Sequence, residues 1–115
     1  MARDPWLEAV RSEIEMLAAD AETQIASMPP GVCFADLQLQ DADHVLEVAL
    51  GHRRESLTES ELAVCRRLRD ALTQLVSNEP ESSSFWSTEG VRDHPKWRAI
   101  RELAAGAMQE FGPAR

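Results

Sequence analysis

Apolar residues recur along the first segment of the chain at alternating spacings of three and four, the period of a helix with one buried face. This stripe consists of Leu7, Val10, Ile14, Leu17 and Ala21, with Ile25 and Met28 close to its line. Asp4 suits the N-cap position and Pro5 the first helical position. The run Pro29-Pro30-Gly31 stops a helix, because proline cannot continue the hydrogen-bond ladder. The pattern predicts one long N-terminal helix over residues 5–28, about 36 Å in length.

The second segment predicts a short buried helix. Its apolar residues lie at positions 45, 46 and 48–50, with Asp41 as the candidate N-cap and an end near Gly51. A start at Asp36 is an alternative. The alternation over residues 37–40 is too short to build a sheet.

The third helix has the clearest local signature in the chain. Thr58 and Glu61 form a capping box, and Leu57 and Leu62 occupy the positions of a hydrophobic staple. The predicted buried face comprises Leu62, Cys65, Leu68, Leu72, Leu75 and Val76. The polar run over residues 77–80 ends this helix, and a loop follows over residues 79–84.

The last helix is predicted to begin near Asp93 or His94, with Pro95 in its first turn, and to stop at residues 112–113. Its predicted buried face comprises Trp97, Ile100, Leu103, Ala104, Ala107 and Phe111. We therefore expect a single all-α domain over residues 1–115, a small bundle of about four helices: a long N-terminal helix, a short second helix and two further amphipathic helices.

Composition indicates whether the chain folds and in which cellular compartment it acts. Of the 115 residues 43% are hydrophobic, which favours a packed core over disorder. Neither an apolar run of membrane-spanning length nor the apolar stretch of a secretory signal is present. The sequence therefore predicts a cytoplasmic protein, with Cys33 and Cys65 reduced and a disulfide between them as the alternative. The ratio of 11 arginines to 1 lysine suggests a bacterial source.

The net charge of −8 is concentrated in the first half of the chain. Residues 1–50 contain 10 acidic and 2 basic residues, whereas residues 51–115 contain 10 of each. Glu8, Glu15 and Glu22 are spaced by seven, so on one helix they form a column that points away from the apolar stripe. This predicted acidic ridge suits a basic protein partner. The alternative is a solvated face that keeps the protein soluble.

A second acidic column, Glu13 and Asp20, lies beside the apolar stripe. Arg69 and Arg101 lie beside the stripes of their own helices, so we expect them to pair with this column across the bundle. Such partly exposed pairs contribute about 0–1 kcal/mol each and serve mainly to orient the helices.

Phe85 and Trp86 interrupt a serine-rich loop. If they are exposed, they form an apolar anchor for a partner, because aromatic residues dominate binding hot spots. In the alternative, they fold back and cover one end of the core.

Two further constellations indicate other functions. Arg53, Arg54, Arg66 and Arg67 could hold a nucleic-acid backbone, although acidic residues dilute this cluster and the rest of the chain repels phosphate. His44 and Glu47 share one helical face and are weak candidates for metal ligands. An acidic helix start, which the helix dipole favours, explains Glu47 and its acidic neighbours equally well.

The sequence contains no phosphate-binding glycine loop, no nucleophile elbow and no zinc-protease motif. We therefore expect a non-enzymatic protein–protein interaction or regulatory module, without a cofactor and without a membrane partner, that acts as an adaptor or as an immunity- or antitoxin-like inhibitor. The sequence leaves the oligomeric state open, and a homodimer is one way for so small a bundle to bury its weaker helix. The alternatives are a nucleic-acid regulator that uses the arginine cluster and a metal-dependent helical enzyme.

Overall fold

The computed structural model of the chain describes residues 5–52, 55 and 57–111. These residues contain six α-helices and no β-strand, which confirms the all-α prediction. The helices are α1 (Pro5–Ala18), α2 (Ala21–Ala26), α3 (Phe34–Gly51), α4 (Glu59–Val76), α5 (Thr88–Asp93) and α6 (Pro95–Phe111), and a short 3-10 turn covers Ser84–Trp86.

The four longer helices enclose the hydrophobic core. Helix α1 packs against α3 and α6, and α4 packs against the same two helices, so each long helix has two long neighbours. The largest fully buried apolar side chains are Trp97, Phe34, Phe85, Ile14, Leu17, Leu46 and Ile100. Leu62, Cys65 and Leu68 of α4 are also buried. The core thus draws on every long helix and on the turn that precedes α5.

The predicted long N-terminal helix is wrong in one respect, because the structure divides it into α1 and α2. The backbone at Asp20 is extended, and its carboxylate accepts a hydrogen bond from the Thr23 backbone N–H at 2.8 Å. Asp20 is therefore the N-cap of α2 and not a member of a column on one helix. The buried amide of Gln24 donates to the carbonyl oxygens of Met16 and Leu17, at 3.1 and 3.0 Å. These bonds satisfy carbonyls that the end of α1 leaves without an intrahelical partner.

The second long helix, α3, is much longer than predicted. It begins at Phe34, closer to the alternative start at Asp36 than to a cap at Asp41, and it ends at Gly51 as predicted. The Phe34 ring is 2% exposed, and its centroid lies 5.7 Å from that of Trp97 on α6. This tertiary burial explains the early start of α3, since the local pattern before Val45 is weak.

Helix α4 begins as its capping box predicts. The Thr58 hydroxyl accepts from the Glu61 backbone N–H at 3.1 Å, and the Glu61 carboxylate accepts from the Thr58 backbone N–H at 2.9 Å. Leu57 and Leu62, the predicted staple, are both buried. The helix ends at Val76, and Ser77 is its C-cap.

Helix α5 was not predicted, whereas α6 begins at Pro95 within one or two residues of its predicted start. Ser87 caps α5, because its hydroxyl accepts from the Gly90 backbone N–H at 3.0 Å. A Cβ atom at Gly90 would lie 1.7 Å from the Ser84 carbonyl oxygen. The absence of a side chain at Gly90 therefore allows α5 to lie directly on the 3-10 turn. One predicted core residue of α6 is wrong: Leu103 is 40% exposed.

Candidate functional site

The acidic ridge predicted from Glu8, Glu15 and Glu22 does not form as one column. Glu8 and Glu15 lie on α1, whereas Glu22 lies on α2 beyond the break. Glu22 pairs with Arg92 on α5, and the hydrogen bond from the guanidinium lowers the pKa of Glu22. The ridge is thus interrupted by the change of helix, and one of its members already has a cationic partner.

The structure describes no salt bridge from Arg69 or Arg101 to Glu13 or Asp20. Arg101 nevertheless attracts Asp20, and this attraction adds to the hydrogen bonds from Thr23 that lower the pKa of that carboxyl. Nε of Arg69 donates to Asp43 at 3.0 Å, and its terminal nitrogen lies 3.5 Å from Glu47; both carboxylates are on α3. Arg101 donates to the Gln24 side-chain oxygen at 3.1 Å and to the Val91 carbonyl oxygen at 2.8 Å. Arg69 therefore links α4 to α3, and Arg101 links α6 to α2 and α5.

The two weak metal candidates, His44 and Glu47, are exposed on α3. Glu47 is engaged by Arg69. In the part of the chain that the structure describes, no three His, Cys, Asp or Glu side chains lie close enough together to hold a metal ion.

Two members of the arginine cluster, Arg66 and Arg67, lie exposed on α4. Arg67 pairs with Glu110 on α6 at 2.7 Å. The other two members, Arg53 and Arg54, lie outside the described residues. The structure thus places a carboxylate against one of the two described arginines.

Phe85 and Trp86 have different environments. Phe85 is fully buried and stacks on Trp97, with ring centroids 5.1 Å apart, and the Trp97 indole donates to the Phe85 carbonyl oxygen at 2.9 Å. Phe85 therefore covers the core, as the alternative interpretation held, and is not available as an exposed anchor. Trp86 is partly exposed and packs edge-on against Phe85, with ring centroids 4.8 Å apart.

Trp86 lines a surface pocket of about 600 Å³, here called the Trp86 pocket. The pocket lies between α3, the end of α4 and the loop that follows α4. Its lining residues are Asp36, Leu39, Gln40, Asp43, Val76, Glu81 and Trp86. Three of these carry carboxylates, three are apolar or aromatic, and none is basic. The four residues from α3 are spaced as i, i+3, i+4 and i+7, which brings them to one helical face.

Backbone contacts hold the Trp86 side of the pocket in place. The Cys33 thiol, at the N-cap of α3, donates to the Trp86 carbonyl oxygen at 2.9 Å. On the other side of the turn, Gly90 approaches the Ser84 carbonyl closely. Within the described residues, the indole nitrogen of Trp86 is buried and has no hydrogen-bond acceptor. The turn is thus anchored through its main chain, while the indole makes no polar contact.

The carboxylates of the pocket differ in their pairing. Asp43 is shared with Arg69. Asp36 and Glu81 have no salt bridge to any residue that the structure describes. Among the described residues, the pocket therefore presents two carboxylates without a cationic partner, beside an indole ring. This arrangement attracts a positively charged group.

A second depression of about 880 Å³ runs between α4 and α6. Small side chains and the exposed Leu103 line it, together with Arg67 and Glu110, which pair with each other. Its charges are thus mixed and partly neutralised. The Trp86 pocket has an aromatic wall and two carboxylates that form no described salt bridge, so it is the more specific site.

Glu79, Ser83, His94 and Lys96 form a polar cluster where α4 and α6 approach each other. The Glu79 side chain is only 9% exposed, and it accepts from Lys96 Nζ at 2.6 Å and from the Ser83 hydroxyl. These two bonds lower the pKa of Glu79. The Ser83 hydroxyl donates to Glu79 and not to His94, so the described cluster lacks the serine–histidine bond that activates a nucleophile. It is a structural clamp between the two helix ends.

Comparison with known families, proteins and structures identified no relative of this chain. No protein-family model matches the chain, and neither curated proteins nor solved structures gave a significant match. None of the helices in residues 5–52 and 57–111 is both long enough and apolar enough to cross a membrane.

Proposed function

We propose that this protein is a non-enzymatic interaction module that binds a basic segment of a partner protein through the Trp86 pocket. The observation that carries this proposal is the open surface pocket itself, of about 600 Å³. Among the described residues its lining has an indole, three carboxylates and no basic residue, and Asp43 alone of the three carboxylates forms a described salt bridge. An adaptor, or an inhibitor of a basic protein, acts through a surface of this kind.

The charge distribution supports the same function. The chain carries a net charge of −8, so its long-range field attracts a basic partner and raises the rate of encounter. Long-range attraction does not by itself determine where on the surface the partner binds. We assign the binding position to the Trp86 pocket, because tryptophan is enriched in binding hot spots and its ring offers a large contact area.

This proposal moves the partner-binding surface away from the first helix. Glu22 is paired with Arg92, and the helix is broken between Glu15 and Glu22. Of the two aromatic residues considered as anchors, Phe85 is buried in the core and Trp86 lines the pocket. In this proposal, the carboxylates that contact the basic partner are those of Asp36 and Glu81 instead of those on the first helix.

The test is a binding titration with a fluorescein-labelled peptide of four Gly-Ser-Arg repeats, followed by anisotropy in about 50 mM salt, where screening of exposed charges is weak. Asp36→Asn with Glu81→Gln removes two charges from the pocket. Each exposed contact contributes about 0.5 kcal/mol, so the dissociation constant should rise about fivefold.

The matched control is the pair Glu15→Gln and Glu102→Gln, which removes the same charge from exposed positions outside the pocket. Its effect should stay within about twofold, because only the distant field changes. If both pairs weaken binding equally, the peptide senses net charge alone and the pocket has no role. Absence of measurable binding to the unmodified protein would reject the proposal altogether.

A further inference from the structure

We infer that the group bound in the Trp86 pocket is an arginine side chain of the partner, in preference to lysine. This inference rests on the proposed function and specifies its ligand. The guanidinium would lie against the indole of Trp86 and pair with Asp36 and Glu81, and the aliphatic stem would pack on Leu39 and Val76. The lining thus offers carboxylates and an indole to the guanidinium, and apolar side chains to the aliphatic stem.

The residues that line the pocket favour an arginine guanidinium over a lysine ammonium. A guanidinium is planar and weakly hydrated, stacks on aromatic rings and donates in a fork that matches carboxylate oxygens. A lysine ammonium is a compact, strongly hydrated point charge, so it gains less from an indole wall and loses more hydration in a partly enclosed pocket. An indole beside several acceptors therefore favours arginine at equal charge.

The protein itself contains a related arrangement on the same helix. Arg69 lies against Asp43 and Glu47, two acceptors spaced by four residues on α3, and its side chain is 34% exposed. Asp36 and Gln40 repeat this spacing of two acceptors earlier on α3, and both line the pocket. In the described residues neither has an arginine of this chain as a partner. A partner's arginine would lie against Asp36 and Gln40 as Arg69 lies against Asp43 and Glu47, about two helical turns later.

The test compares two peptides of equal length and charge, one of four Gly-Ser-Arg repeats and one of four Gly-Ser-Lys repeats, under the titration conditions given above. The arginine peptide should bind at least about threefold more tightly, since stacking on the ring adds to the charge attraction. Trp86→Leu should reduce this preference to less than about twofold. Circular dichroism shows whether that variant retains its helices.

A second variant keeps the test decisive if Trp86→Leu does not fold. Gln40 is exposed on α3, so Gln40→Lys leaves the core intact and places a cation in the pocket. It should weaken the arginine peptide at least about threefold, beyond the loss caused by Gln109→Lys, which adds the same charge at an exposed position of α6. Equal losses from the two variants would overturn the placement of the peptide in the pocket.

The outcomes separate this inference from the function on which it rests. Equal affinity for the two peptides, with both sensitive to Asp36→Asn and Glu81→Gln, would overturn the arginine preference and leave the basic-partner function standing. Failure of both peptides to bind would overturn both. A threefold preference that Trp86→Leu removes would support both.

Discussion

Gln24 joins three helices through its side chain and makes the sharpest stability prediction for this protein. It is 0% exposed. Its amide nitrogen donates to two carbonyl oxygens at the end of α1, and its oxygen accepts from Arg101 on α6 at 3.1 Å. Replacing Gln24 with alanine removes all three bonds at once and leaves the α1 carbonyls and the guanidinium with fewer partners.

The magnitude follows from the bonds lost. The two neutral hydrogen bonds contribute about 1 kcal/mol each, and the bond from the charged guanidinium about 1.5–3 kcal/mol. Water that enters the space left by the side chain recovers part of this sum. We therefore expect Gln24→Ala to lower the free energy of unfolding by about 3 kcal/mol, a large part of the stability of a domain of this size.

Urea denaturation followed by circular dichroism measures this change, with Gln74→Ala as the control. Gln74 is exposed on α4, so its replacement should change the unfolding free energy by less than about 0.5 kcal/mol. Gln24→Met separates lost hydrogen bonds from lost volume, because methionine fills similar space without polar atoms. If Gln24→Met is as stable as the unmodified protein, the bonds to Met16, Leu17 and Arg101 do not stabilise the break, and the reasoning is refuted.

The remaining predictions concern backbone packing and pH. Gly90→Ala should lower the unfolding free energy by about 2 kcal/mol or more, because its Cβ atom would lie 1.7 Å from the Ser84 carbonyl oxygen. A Cβ atom at Gly106 would meet nothing within 4 Å beyond its chain neighbours and its own helix backbone. Gly106→Ala should therefore raise the unfolding free energy by about 0.5–1 kcal/mol in the same denaturation assay. Burial and the neighbouring Asp41 raise the pKa of Glu13 above its usual 4.5, so its contribution to stability is present below that pH and is lost as the pH rises through the higher folded-state pKa. Glu13→Gln should therefore stabilise the protein at pH 7 by less than about 1 kcal/mol and lose this advantage below about pH 4, as thermal melts at both pH values would show; a constant advantage across that range would contradict the assignment.

Elements with strong local signals were predictable from the sequence. The capping box at Thr58 and Glu61 gave the start of α4, and the polar run after Val76 gave its end, because both signals act within one helical turn. Pro95 likewise placed the start of α6. These elements need no information from the rest of the chain.

The break between α1 and α2 was missed because the apolar stripe continues through it, although Asp20, the N-cap of α2, is a local signal. The decisive interactions are the buried Gln24 and its bond to Arg101, a residue 77 positions later. The early start of α3 depends in the same way on burial of Phe34 against Trp97. Helix α5 was not predicted, because Gly90 lowers helix propensity. Glycine is required at this position because the backbone lies close to the Ser84 carbonyl oxygen, a tertiary contact that the local sequence does not show.

The candidate site was only partly predictable. Trp86 was singled out, and the i, i+4 and i+7 spacing of Asp36, Gln40 and Asp43 could have indicated a polar face on α3. The sequence could not show that Glu81 joins that face, since this depends on the path of the chain after α4. Nor could it show that Glu22 is paired with a residue 70 positions away.

The walls of the Trp86 pocket come from residues 36–43, from the end of α4 and from residues 81–86, so the site exists only while these segments are assembled. Any molecule that occupies it binds the native chain and not the unfolded one. Occupancy is therefore thermodynamically linked to the folding equilibrium. At a ligand concentration of 100 times the dissociation constant, this linkage adds about 2.7 kcal/mol to the stability of the protein. A ligand that binds the Trp86 pocket would thus also raise the free energy of unfolding of this chain.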